Sequence, residues 1–279
     1  AARAGARRVR INATPDGHGD CVKLVPDPAA DGAREVFVKP FETTMTLADF
    51  FADLANPQPG FVPYLSHQND NLRDSELDFL EGEFPPVMPL GQEALGDLDA
   101  VNLWIGDERA VSAMHQDYYE NLYAVVHGEK VFHLLPPAIN AKLFLGEAEF
   151  DQAQYAQAAD GTWEVVLDGE RVSWIPQDPL ALEGVCRASL LEVRVRAGQV
   201  LYLPAMWLHR AAQSELTISV NYWHEMAFDH RWVYSSFVSR VAEAMKCAMD
   251  SCESGTAEKA ALAQSGASEG AAAADAEED

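Results

Sequence analysis

From Ala100 onward apolar residues either alternate with polar ones or run together in short segments, the two textures of β-strands. Ala100–Ile105, Tyr123–Val126, Lys130–Leu135, Thr162–Val166, Leu190–Val195, Gln199–Leu203 and Thr217–Trp223 are the candidates. Gly106-Asp107, His127-Gly128-Glu129, Pro136-Pro137 and Ala197-Gly198 punctuate them. Many short strands with such turns predict a mainly β domain, a barrel or a sandwich. Upstream, Arg8–Ile11, Val36–Lys39 and Gly60–His67 read as strands, and Thr14-Pro15-Asp16-Gly17 as a turn. Thr46 followed by Asp49 predicts a capped helix start. A short helix is expected around Asp74–Leu80, and Lys142–Gly161 reads as a long, partly helical insertion.

Past Asp229 the period changes. Trp232, Val233, Phe237, Val241, Ala244, Met245 and Ala248 share one helical stripe, which predicts a C-terminal helix over about 229–250. That helix either docks on its own domain or pairs two copies as a homodimer. Gly255–Asp279, rich in Ala, Ser, Gly and acid, is expected to be disordered. The expected organisation is thus one domain over 1–254 and a tail over 255–279.

Composition narrows the function classes. A chain of 279 residues with 48% hydrophobic content and 6 Trp carries a real core. A net charge of -24 argues against a nucleic-acid partner, whose phosphates need a basic surface. It suits a basic partner such as a lysine-bearing protein segment, although part of the charge simply solvates the surface. Cys21, Cys186, Cys247 and Cys252 show no metal spacing, which fits a reducing compartment, cytoplasm or nucleus. No run of 18 apolar residues predicts a membrane span. The start, Ala1-Ala2-Arg3, reads as a trimmed fragment; its Arg-rich, acid-free character also allows a transit-peptide remnant.

The candidate chemistry lies in His115-Gln116-Asp117. On a strand, residues two apart share a face about 7 Å apart along the backbone, so both side chains can reach one ion. His209, 94 residues later (209 minus 115), follows the apolar segment Val200–Leu208 and its Pro204 turn. Two imidazoles and a carboxylate on one face of a metal leave positions open, as in non-haem Fe(II) oxygenases. A His-x-Asp pair alone is weak, and His18, His67, His127, His133, His224 and His230 compete. A zinc hydrolase and a metal-free barrel with hydrogen-bonded His115 and Asp117 are the alternatives.

With these residues placed, the chain closely resembles the JmjC-domain 2-oxoglutarate oxygenases from about Asn12 to Lys246. The resemblance rests on Val101–Gly106, His115–Tyr123, Val126–Lys130, Leu135-Pro136-Pro137, Trp174–Pro179, Gly198–Pro204 and Val220-Asn221-Tyr222-Trp223. It implies a double-stranded β-helix, the jelly-roll or cupin-like barrel, with flanking helices and a C-terminal dimerisation helix. It implies Fe(II) held by His115, Asp117 and His209, with 2-oxoglutarate and O2 as co-substrates. Lys130 matches the lysine that pairs with the distal carboxylate of 2-oxoglutarate; its bland alternative is a solvated hairpin-edge lysine. Tyr64 matches a tyrosine sharing that carboxylate, and Ser112, Asn121 and Asn221 match further co-substrate contacts. Tyr64 could otherwise be plain core, and the polar three could satisfy backbone groups.

The Thr14–Gly17 and Trp174–Pro179 blocks look most like the branch that hydroxylates lysine at C3 in developmentally regulated GTP-binding proteins. Histone methyl-lysine demethylation and a non-catalytic JmjC-like scaffold are the alternatives. Family members carry a further N-terminal segment that Ala1–Val9 does not resemble, which puts dimerisation and part of the substrate groove in doubt.

Overall fold

A computed structural model describes residues 4–27, 32–80, 82–245 and 247. Eight strands form the barrel. In chain order they are Leu98–Gly106, Val111–Gln116, Tyr119–His127, Glu129–Leu135, Leu191–Arg196, Val200–Leu203, Leu208–Gln213 and Thr217–Glu225. One sheet runs Val200–Leu203, Tyr119–His127, Thr217–Glu225, Leu98–Gly106. The other runs Leu191–Arg196, Glu129–Leu135, Leu208–Gln213, Val111–Gln116, and the short His18–Gly19 strand adds to its edge in parallel. The neighbours within these two four-strand sets are antiparallel. Successive strands switch sheets except across 136–190, where Glu129–Leu135 pairs directly with Leu191–Arg196. That path is the expected double-stranded β-helix.

The apolar runs follow from burial on both faces of the first sheet. Val101, Leu103, Ile105, Val220 and Tyr222 pack outward against Ile11, Phe50 and Leu65. Their neighbours of opposite parity, Trp104 and Asn221, line the barrel cavity. The outer layer is a three-stranded sheet, Phe41–Thr46, Arg8–Thr14 and Val62–Tyr64, with the helix Leu47–Ala55. Thr46 caps that helix as expected, its hydroxyl accepting from the Asp49 N–H at 3.1 Å. Full burial of Phe50 contributes about 2–3 kcal/mol.

Several sequence expectations need correction. The Lys142–Gly161 stretch is mostly strand: after the short helix Ala141–Phe144 comes Ala148–Gln157. It pairs antiparallel with Trp163–Trp174 and parallel with Ala33–Lys39, so its apolar residues were recruited by distant partners. Gly60–His67 shrinks to Val62–Tyr64, with Pro63 at its centre, and the short helix expected around Asp74–Leu80 is the 3-10 helix Ser75–Leu80. Asp117 lies just past its strand, which ends at Gln116. His209 is the second residue of a strand, Leu208–Gln213, that the alternation did not reveal. Described by itself, the C-terminal unit from Asp229 contains a helix over 230–245. The expected tail, Gly255–Asp279, lies outside the described residues.

Candidate metal centre

The strands Val111–Gln116 and Leu208–Gln213 are antiparallel neighbours, and their register sets His209 directly opposite His115. A shift in register just after His209 breaks the regular ladder at this point. Asp117 reaches the same place from the turn beyond Gln116, and its carbonyl accepts from the Met206 N–H at 2.8 Å. Met206, at φ 70, holds the return turn before His209 in a left-handed conformation. One ligand atom from each of His115, Asp117 and His209 lies within 4.8 Å of the others. The Asp117 Oδ2 is 3.8 Å from His115 Nε2 and 3.6 Å from His209 Nε2.

Both imidazoles are fixed from behind. His115 Nδ1 donates to the Ala113 carbonyl at 2.7 Å, and His209 Nδ1 donates to the Trp207 carbonyl at 3.1 Å. A carbonyl only accepts, so each ring carries its proton on Nδ1 and turns the Nε2 lone pair toward Asp117. Burial, reinforced by the neighbouring His115, pushes His209 down to about 4. It is therefore neutral at pH 7, the form a metal requires. The donor set, two nitrogens and one carboxylate oxygen on one side of a cavity, fits a divalent transition metal with open positions.

That cavity, of about 350 Å³, is also lined by Tyr64, Ser112, Lys130, Asn121 and Asn221. Lys130 is 1% exposed, not a solvated hairpin lysine. Its Nζ donates to the Tyr64 hydroxyl at 2.8 Å and to Gln213 Oε1 at 2.6 Å. Gln213 is held in turn by the Ala110 carbonyl at 2.8 Å. Among the described residues no carboxylate pairs with this ammonium, and burial pushes it down to about 7. Ser112 lines the cavity wall together with the Tyr64 phenol. Asn221 accepts from Trp104 Nε1 at 2.7 Å and donates to Asn121 at 3.2 Å, so the two asparagines form one amide pair rather than two separate contacts.

The competing histidines fall elsewhere. His133 faces Glu192 at 3.5 Å, His224 Nδ1 meets the Gly96 carbonyl at 2.8 Å, and His127 is exposed. Two cavity residues, Trp174 and Asp20, escaped the site prediction, as did Gln213 behind Lys130. Trp174 lies parallel to His115, with ring centroids 6.2 Å apart and 7° between planes. Gln213 ends an unrecognised strand behind Lys130. Asp20 sits at φ 50 between two strands, and burial pushes its carboxyl up to about 6. An Asp at a left-handed position leaves no periodicity; its only sequence signal is its nearness to the Thr14–Gly17 turn.

The chain is similar to known proteins. Residues 1–230 match the family of the cupin-like domain. A human bifunctional peptidase and (3S)-lysyl hydroxylase is 37% identical over 254 residues, which is 87% of this chain and 76% of the relative. JmjC domain-containing protein E of Dictyostelium discoideum is 32% identical, over 85% of this chain and 75% of its own. A lysine-specific demethylase of Arabidopsis thaliana is 36% identical over 63% of this chain and 56% of its own.

Proposed function

This chain belongs to the cupin-like domain family and, within it, to the JmjC oxygenases, and from that premise we propose an Fe(II)- and 2-oxoglutarate-dependent protein lysyl C3-hydroxylase. The observation that carries the reading is the pairing of His115, Asp117 and His209 with the unpaired Lys130 ammonium on one cavity wall. A dicarboxylic keto acid answers both features: one end chelates a metal, the other neutralises a buried cation.

His115, Asp117 and His209 would hold the metal through two imidazole nitrogens and a carboxylate oxygen. The chemistry supplied by bound iron would be oxygen activation, coupling oxidative decarboxylation of 2-oxoglutarate to hydroxylation of a substrate carbon. The Ala113 and Trp207 carbonyls keep both rings in the liganding tautomer. Lys130, with Tyr64, fixes the far carboxylate of 2-oxoglutarate, and Ser112 lines the cavity beside them. The Asn121–Asn221 pair offers an amide edge to the co-substrate, and Trp174 screens His115. Together they fix distance and orientation before substrate arrives.

The substrate is a protein lysine, and a developmentally regulated GTP-binding protein is the class we favour, in cytoplasm or nucleus. The net charge of -24 suits such a basic segment. The human relative's name supports hydroxylation over more of both chains than the Arabidopsis name supports demethylation. The exposed apolar side chains of helix 230–245, among them Phe237 and Val241, support a homodimer. Intact-mass spectrometry of lysine and methyl-lysine peptides, with Fe(II) and 2-oxoglutarate, tests the reaction. One added oxygen on unmodified lysine is expected; loss of a methylene from methyl-lysine would establish demethylation instead. His115→Ala should abolish substrate-coupled succinate release, and unchanged turnover would refute the metal assignment.

A further inference from the structure

Among the described residues, Lys130 and one other charged group on the cavity wall have no ion-pair partner, and only the Lys130 ammonium is answered by 2-oxoglutarate. The other is Asp20. It lies between the short strand His18–Gly19 and the strand Cys21–Pro26. Gly19 pairs with Ser112, so Asp20 is carried alongside the strand that bears His115. Its side chain lines the same cavity as His115 and Trp174.

The structural uses of a carboxylate in this place are already taken by other groups. His115 is oriented by the Ala113 carbonyl, so Asp20 is not needed to fix its tautomer. Lys39, the nearby cation, donates to Asp168 at 2.9 Å. Lys23 pairs with Asp16. Among the described residues the Asp20 side chain has no hydrogen-bond or ion-pair partner. A half-buried carboxylate on a cavity wall without a partner is costly to the fold and marks a place suited to a cation.

We propose that Asp20 receives the side-chain ammonium of the substrate lysine and so selects an unmodified lysine for reaction. The inference rests on the lysyl-hydroxylase reading and deepens it. The ammonium lies several bonds beyond C3, so a lysine presenting C3 to the metal ligands extends its charged end to the cavity wall. Lys130 and Asp20 then divide the cavity: one binds the anionic co-substrate, the other the cationic substrate. An unmethylated ammonium brings three donors to the carboxylate, and a trimethylated one brings none.

The test uses the whole chain loaded with Mn(II), which does not turn over, and 2-oxoglutarate. The probes are N-acetyl-lysine N-methylamide and its norleucine counterpart, which lacks only the ammonium. Wild type should bind the lysine probe about tenfold or more tightly than norleucine. Asp20→Asn should erase most of that preference, and Asp20→Glu should keep part of it. Retained 2-oxoglutarate affinity shows that a variant is folded; if Asp20→Asn fails that check, Asp20→Glu decides. No preference in wild type, or one that survives in Asp20→Asn, overturns the proposal. A preference that depends on Asp20 without any hydroxylated product would instead refute the reaction and leave the ammonium site standing.

Discussion

Lys130 shows what one residue contributes and what it costs. Its ammonium is buried with only neutral partners, Tyr64 and Gln213, and is held down to about 7. An unfolded lysine titrates near 10.4. Below about pH 7 both states carry the proton, and the folded state bears the full cost of burying it. Between about 7 and 10.4 the unfolded chain binds a proton that the folded chain does not, so this group makes stability rise with pH. Thermal melts of the apo protein at pH 7 and 9 should show a gain on the order of 1–2 kcal/mol relative to Lys130→Met. An identical pH dependence in the variant would contradict the buried, unpaired charge. The same substitution should raise the KM for 2-oxoglutarate at least about tenfold at pH 7. In wild type the affinity for 2-oxoglutarate should fall as pH rises through about 7, because the anchor loses its charge.

At the scale of elements, the site depends on turns as much as on strands. Gly17 sits at φ +86, and a Cβ there would lie 1.9 Å from the Arg109 carbonyl oxygen. Its own carbonyl accepts from the Val111 N–H at 2.9 Å, tying the early turn to the strand of Ser112 and His115. Gly17→Ala should lower the unfolding free energy measured in urea by about 3 kcal/mol or more and weaken 2-oxoglutarate binding with it. The helix Leu47–Ala55 is a control of the opposite kind, because its cap lies in the outer layer. Thr46→Ala should cost about 1 kcal/mol in the same denaturation experiment and leave the affinity for 2-oxoglutarate unchanged. A shift in that affinity would mean the outer layer tunes the cavity. The capped helix was legible because capping is a local event, complete within four residues. Ala148–Gln157 was not, because a parallel partner more than a hundred positions earlier in the chain makes it a strand.

For the whole molecule, the exposed apolar side chains of helix 230–245, Trp232, Val233, Phe237 and Val241 among them, set the association prediction. Wild type should sediment as a dimer, and Phe237→Glu combined with Val241→Glu should shift it to monomer while 2-oxoglutarate binding persists. A monomeric wild type would remove the dimer from the proposal. By itself the sequence determined the β texture, the helix cap, the turns and the donor types, since each depends on local periodicity or on the side chain's own chemistry. It also presented Lys130 as an ambiguous hairpin lysine and His115-Gln116-Asp117 as a weak pair. Only the tertiary structure set His209 opposite His115, buried Lys130 away from any carboxylate and left Asp20 facing the cavity without a partner. The physical reason is that charge burial and metal geometry are properties of which strands become neighbours. In this barrel the register between Val111–Gln116 and Leu208–Gln213 is fixed by pairing across a long intervening chain, which no local pattern encodes.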